Sequence, residues 1–228
     1  MYKLLIFDLD NTLIDYSTTE RLAIENICQK LCIATKDCYR LYRDSNRLAR
    51  EIYPNITHEK LLDFRKKRAE YFLQSVSCSD TASVDCFLAL YLAEMSKGIV
   101  FDDVIECLER LKGQCVMVIG TNGDNVTRYN KVKSANLTEY FPWVFTSEML
   151  NCSKPQKEFF LKIIEQFPYD VESVLAIGDD LKNDYICAKD AGIDFCFINR
   201  KRIELNKNVK PQYVIYSLAE LEHIVNAN

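Results

Sequence analysis

Histidine is scarce in this chain, with His58 and His223 the only two among 228 residues. Cys28 and Cys32 stand at helical spacing, but only these two histidines exist to complete a metal site with them, so a thiolate-imidazole centre is not expected. No CxxC pair occurs among the ten cysteines, Cys28, Cys32, Cys38, Cys78, Cys86, Cys107, Cys115, Cys152, Cys187 and Cys196. They read as reduced thiols. Several lie inside apolar runs, such as Cys115 before Val116-Met117-Val118-Ile119, where a free Cys packs as a small hydrophobe. No apolar run reaches the ~18 residues of a membrane span, and the first residues show no secretory h-region, so a cytoplasmic protein is expected. Neither sign of charge dominates. Twenty-nine Lys and Arg against 33 Asp and Glu give a net charge of −4, which offers no field for wrapping a nucleic-acid polymer. What is present is a hydrophobic content of 48%, enough for a sizeable core in one or two domains.

The first apolar run, Leu4-Leu5-Ile6-Phe7, ends abruptly in Asp8-Leu9-Asp10-Asn11-Thr12. A continuously apolar run is what a central parallel strand covered on both faces needs, and ligands of open α/β sheets bind beyond the carboxyl ends of such strands. Side chains two apart in an extended chain point the same way, so Asp8 and Asp10 can act on one bound group. Such a pair suits one carboxylate attacking and its neighbour handling protons. The alternative at this point is a pair of aspartates that simply opens a turn.

Beyond this strand the pattern changes period. From about Thr18 to Lys97 apolar residues recur at helical spacing (Leu22, Ile24 and Ile27; Leu41, Leu48 and Ile52; Leu61, Leu62, Phe64, Tyr71 and Phe72), which predicts about four helices. Breakers fall at Pro54-Asn55 and around Ser75 to Ser83, and His58-Glu59 reads as the opening of the third helix. From Gly98 helices and strands alternate: helices at 102–112, 125–135, 156–167, 184–191 and from 218, strands at 115–120, 144–146, 173–177, 195–198 and 213–216. This is the signature of a parallel sheet with helices on its faces. The helical module is therefore an insertion, of a kind that sits where loops carry function and can close over a site.

Three further strand ends carry candidate chemistry. Gly120-Thr121-Asn122-Gly123 offers a hydroxyl and backbone N–H groups for a phosphate oxygen, or is an ordinary Asn-Gly turn. Ser153-Lys154-Pro155 holds Lys154 at the mouth of a helix, where it is either a site cation or solvated surface charge. Gly178-Asp179-Asp180-Leu181-Lys182-Asn183-Asp184 brings three more carboxylates to the same end of the sheet. Like charges 4 Å apart repel by ~1 kcal/mol in water and ~4 kcal/mol at an effective dielectric of 20, so this convergence requires cations. All-oxygen donors favour Mg²⁺ over zinc, and Lys154 can neutralise what remains.

Taken in order, these four segments resemble the haloacid dehalogenase superfamily of aspartate-nucleophile phosphotransferases. The family's DxDxT matches Asp8 to Thr12, its strand-end Thr or Ser matches Thr121, its lysine matches Lys154, and its GDxxxxD matches Gly178 to Asp184. An insertion between the first and second motifs is similar to the C1-cap subclass, and Asp8 to Tyr16, Thr121 to Gly123 and Lys154 to Phe160 look most like its bacterial 5′-nucleotidase branch. The resemblance implies a Rossmann-like α/β core of three layers with a central parallel sheet (residues 1–16 and 99–228) and an all-helical cap (17–98). One departure stands out. Many relatives carry Pro-Gly where the insertion rejoins the core, and this chain has Phe101-Asp102-Asp103.

By its chemistry and by the resemblance, Asp8 is expected to attack phosphorus and form an aspartyl-phosphate. Asp10 is expected to serve the leaving group and then the attacking water, with a pKa raised by the neighbouring carboxylates. The resemblance implies that Asp8, Asp179 and the Asp10 carbonyl reach Mg²⁺, with Asp184 ligating or orienting Lys154. It also implies that Thr121, the Asn122 N–H and Lys154 hold the phosphoryl group. The expected partner is a small phosphorylated metabolite, most like a nucleoside 5′-monophosphate, with sugar phosphates, phosphoglycolate and FMN as alternatives. Neither a membrane nor a nucleic-acid polymer is expected, and oligomeric state is not readable. A residue in the Asp10 role disfavours dehalogenation; a sugar-phosphate mutase and a noncatalytic regulator remain as competing readings. In the insertion, Tyr39, Tyr42, Arg43, Arg47, Arg50 and Tyr53 are candidates for base or sugar contact, and Arg65-Lys66-Lys67-Arg68 reads as a solvated face.

Overall fold

Four consecutive apolar residues, all fully buried, form the central strand β1 (Leu4–Phe7). The computed structural model describes residues 1–54, 60–78 and 81–226, and the chain divides into two compact units, Met1–Tyr16 with Gly98–Asn228, and Ser17–Lys97. After β1 come four helices, α1 (Tyr16–Lys30), α2 (Cys38–Ile52), α3 (Leu61–Ser75) and α4 (Thr81–Met95). The chain then alternates through α5 (Val104–Leu111), β2 (Val116–Thr121), α6 (Asn125–Ser134), β3 (Val144–Thr146), α7 (Ser147–Leu150) and α8 (Glu158–Ile164). It closes with β4 (Val174–Gly178), α9 (Ile186–Ala191), β5 (Asp194–Ile198), β6 (Tyr213–Ile215) and α10 (Leu221–Asn226). No described helix is long and apolar enough to cross a membrane.

The six strands form one sheet in the order β3-β2-β1-β4-β5-β6, and every pair is parallel. Period-two alternation splits β1 between two cores: Leu5 and Phe7 pack with α5 and α10, whereas Leu4 and Ile6 pack with α8 and α9. That double burial is why the strand reads as a continuous apolar run rather than an alternating one. Register then sets the site. Phe7 pairs with Ile119 of β2 and Ile177 of β4, so the residues that follow, Asp8, Gly120-Thr121 and Gly178-Asp179, stand level with one another at the carboxyl ends of three adjacent strands.

Within the helical unit the buried stripe differs from the apolar one expected. On α2 it is Cys38, Tyr42, Ser45 and Ala49 that are buried, while Leu48 and Ile52 are 41% and 50% exposed. Tyr42 packs edge-on to Phe72 and tilted against Phe87 and Tyr91, so one aromatic ring supplies the contact that the two aliphatics do not. The basic run on α3 is also corrected at one position. Lys66 is exposed, but Arg68 is buried, its guanidinium 4.8 Å from the ring centres of both Tyr42 and Tyr91 and 4.0 Å from Glu20. Aromatic faces and a carboxylate together make burial of that charge tolerable. Of the contact candidates, Tyr42 is core, and Arg43, Arg47 and Arg50 are exposed. His58 and Glu59, expected to open the third helix, lie outside the described residues.

Candidate active site

Lys154 organises the site. It precedes α8, is 4% exposed, and its ammonium donates to Asp8 Oδ1 (2.6 Å), Asp184 Oδ1 (2.6 Å) and the Gly120 carbonyl (2.9 Å). All three protons are thereby used. Burial pulls the ammonium down, but Asp184 and Asp8 outweigh it and hold it above its usual range. The lysine's main chain is fixed in turn by Asn122, whose side-chain amide donates to the Lys154 carbonyl and accepts from its N–H, both at 3.0 Å. The side chain of Asn122 is therefore occupied in placing Lys154, and its backbone N–H is what is left for a ligand.

Asp184 reaches Lys154 because of local helix chemistry after β4. Asp180 accepts from the N–H groups of Lys182 (2.7 Å) and Asn183 (3.1 Å), capping a single π-turn over Leu181–Tyr185. That wide turn folds Asp184 back over the strand end, where the Asp180 N–H donates to its Oδ2 at 3.2 Å. A Cβ on Gly178 would stand 2.3 Å from the same oxygen, so glycine is required by close approach. Asp180 thus separates from the other acidic groups as a cap.

Asp8, Asp179 and Asp184 remain as three carboxylates with one oxygen from each within 4.8 Å of the others. Burial, with Asp8, Asp184 and Asp180 adding to it, pushes Asp179 up to about 8. Burial also raises Asp184 and Asp8 against the opposing pull of Lys154. Carboxylates raised first by burial and then by one another are costly to ionise together, and a bound cation would offset that cost. Hard oxygens, few in number and overcharged, fit Mg²⁺.

Asp10 lies elsewhere, and here an expectation is corrected. Its carboxylate is held by Lys131 (Nζ to Oδ1, 2.6 Å) and Arg128 (Nη1 to Oδ2, 2.5 Å), both on α6. Burial raises the carboxyl, but these two cations outweigh burial and hold it below the usual carboxylate range. The neighbouring acids do not govern Asp10, because α6 places positive charge closer to it. Its side chain is consequently not part of the trio of Asp8, Asp179 and Asp184.

Thr121 is 2% exposed, and its hydroxyl has only a 3.5 Å contact with the Asn122 carbonyl, so its proton is available to a ligand. Asp8, Asp10, Thr121, Asn122, Lys154 and Arg128 line one cavity of about 500 Å³ together with Asp179 to Asp184. Asp8 Oδ2 accepts no hydrogen bond among the described residues.

Three basic residues, Arg128, Lys131 and Arg200, and one acid, Asp103, were not anticipated from the sequence. Arg128 sits in the first turns of α6, where the macrodipole disfavours a cation; a basic pair at i, i+3 just after the Thr121 turn was the signal available. The other two meet at the far side of the first turn. Arg200 makes a two-pronged pair with Asp103 (2.9 Å each) and donates to the Thr12 carbonyl at 2.9 Å. Asp103 also accepts from Ser217 Oγ and the Leu218 N–H. This is what stands at Phe101-Asp102-Asp103 in place of Pro-Gly: a brace across four segments, at residues 12, 103, 200 and 217–218, with nothing in the local sequence to announce it.

Comparison with known proteins agrees with this geometry. HAD-hydrolase YfnB of Bacillus subtilis is 28% identical over 231 residues, spanning 99% of this chain and 96% of that protein. Its structure, described as bound to magnesium and revealing interdomain movement, superposes with a TM-score of 0.85 over 99% of each chain. Pyrimidine 5′-nucleotidase PynA of Streptococcus pneumoniae is 29% identical over 100% of this chain and 96% of its own length. Glyceraldehyde 3-phosphate phosphatase of Pyrococcus furiosus is 26% identical over 98% of this chain and 91% of its own. Residues 5–198 match the haloacid dehalogenase-like hydrolase family as one continuous span, and the chain belongs to that family.

Proposed function

We propose that this chain is a Mg²⁺-dependent phosphatase acting on a small phosphate monoester through an aspartyl-phosphate on Asp8. The observation that carries the reading is the buried Lys154 ammonium joining Asp8 to Asp184 at a cavity that Asp8 lines with Thr121 and Asp179. In the first step Asp8 Oδ2 bonds to phosphorus and the ester P–O bond breaks, the departing oxygen taking a proton from Asp10. In the second, water adds to phosphorus, gives a proton to Asp10, and the Asp8–P bond breaks. The ionised Asp10 held by Arg128 and Lys131 is the form used by the second step; the first uses a form one proton richer, so its cation contacts must loosen before the first step and re-form for the second. Thr121 and the Asn122 N–H hold phosphoryl oxygens, and Lys154 keeps Asp8 oriented. Asp8, Asp179, Asp184 and the Asp10 carbonyl would hold Mg²⁺, which supplies charge neutralisation for the incoming phosphoryl group.

The helical unit is read as the cap that selects the substrate, because it is inserted between Asp10 and β2. The substrate reading is a nucleoside 5′-monophosphate, supported by the near-complete span shared with PynA and by the motif similarity to the 5′-nucleotidase branch. The Pyrococcus relative makes a triose phosphate the alternative. A phosphate-release panel over nucleoside monophosphates, sugar phosphates, phosphoglycolate and FMN, with Mg²⁺ or with chelator, tests both. Turnover that survives Asp8→Asn or thorough chelation would sink the mechanism; preference for a sugar phosphate would replace the substrate reading alone.

A further inference from the structure

Two cations converge on the single carboxylate of Asp10. Lys131 is almost fully buried, 1% exposed at its side chain, and by itself pairs with Asp10. Arg128 is the one of the two that lines the cavity with Asp8, Thr121 and Lys154, and its Nε is buried with no acceptor. The guanidinium therefore has donor capacity that the protein does not use. Space for it is built in: a Cβ on Gly123, at φ +141°, would stand 2.4 Å from Nε.

Charge balance gives this surplus a purpose. Asp8, Asp10, Asp179 and Asp184 bring four negative charges, and Lys131, Lys154 and Arg128 bring three positive ones. A divalent cation leaves the site at plus one, and a phosphate dianion then takes it to minus one. Without Arg128 the same complex would stand at minus two. Lys154 has no proton to spare for an incoming anion, because all three are spent on Asp8, Asp184 and Gly120.

We propose that Arg128 is a substrate-binding residue, whose guanidinium turns from Asp10 to the oxygens of the bound phosphoryl group, leaving Asp10 to Lys131. The exchange is what loosens Asp10 for the first step, and it rests on the phosphatase reading above. Planar, forked donors suit this task better than a second lysine, since guanidinium matches two oxygens of one phosphoryl group at once.

The test separates a direct role from one exerted through Asp10. Inorganic phosphate is titrated calorimetrically with Mg²⁺ present into wild type, Arg128→Gln, Asp10→Asn and the double variant, and KM and kcat are measured wherever turnover remains. Arg128→Gln is expected to weaken phosphate binding and raise KM by about tenfold or more, the scale of one charge-assisted hydrogen bond, with kcat less affected. The loss should persist in the Asp10→Asn background, where no carboxylate is left to be positioned. Equal phosphate affinity in Asp10→Asn with and without Arg128→Gln overturns the proposal, as does a fall in kcat with KM unchanged. Should Arg128→Gln fail to fold, Arg128→Lys carries the test: it keeps the charge, loses the fork, and should weaken phosphate binding severalfold. A wild-type protein that neither binds phosphate nor releases it from any monoester refutes the phosphatase reading instead.

Discussion

Asn122 shows how much a single amide decides. Its side chain clasps the main chain of Lys154 from both sides, and Lys154 in turn spans Asp8 and Asp184. Replacing Asn122 by Ala removes both clasps while leaving every charged group in place. Lys154 then keeps its ion pairs in a looser frame, and misplacement by a fraction of an ångström is costly in phosphoryl transfer. Turnover is expected to fall by about ten- to a hundredfold, with the thermal midpoint shifted by only a few degrees. Steady-state kinetics beside a thermal melt check this, and unchanged kcat would show that Asn122 merely closes a turn. Gly178 is less forgiving. Gly178→Ala drives its Cβ into the Asp184 carboxylate, so activity should be lost with Asp184 displaced, as a crystal structure of the variant would show.

At the scale of elements, α1 and α4 of the helical unit are tied by one buried acid. Glu94, 4% exposed, accepts from Lys30 (2.7 Å) and Asn26 (3.2 Å) on α1 and from Lys97 (2.8 Å). Burial raises its pKa, but these donors outweigh burial and bring it to about 2. A carboxyl lowered in the folded state stabilises above its unfolded pKa and loses that contribution as pH falls toward the folded one. Stability carried by Glu94 should therefore fade between about pH 4.5 and 2. Glu94→Gln should cost about 2 kcal/mol at neutral pH and flatten that part of the acid limb; urea melts at several pH values measure both. Equal stability of the two proteins at pH 7 would show that the lysines merely decorate the surface.

For the whole molecule, the acidic strand ends are a liability until a cation arrives. Asp179, raised to about 8, and Asp184, also raised, have the sign opposite to Glu94. Their contribution to folding is fully present below the unfolded carboxylate pKa and is lost as pH climbs through the folded one. Metal-free protein should thus melt progressively lower as pH rises toward about 8, while saturating Mg²⁺, on the proposed reading bound by the folded state alone, should raise the midpoint and remove most of that slope. Asp179→Asn should make the metal-free protein at least as stable as wild type and blunt the Mg²⁺ response. A Mg²⁺ shift of equal size in Asp179→Asn would place the metal elsewhere.

The order of strands and helices, and the acidic pair after β1, were legible because each is local. A doubly buried strand must be continuously apolar, an amphipathic helix must repeat near 3.6 residues, and a short motif carries its own spacing. Arg128, Lys131, Arg200 and Asp103 were not legible, because the pairs they form, Arg128 and Lys131 with Asp10 and Arg200 with Thr12 and Asp103, join residues roughly a hundred or more apart along the chain, and only the fold brings them together. The same distance explains the error over Asp10. By itself the sequence determined which carboxylates reach the open end of the sheet. The tertiary structure decided their surroundings, splitting the aspartates into a cation-held Asp10, a capping Asp180 and an overcharged trio of Asp8, Asp179 and Asp184. A carboxylate's protonation depends on which charges stand within a few ångströms, and that is a property of the fold.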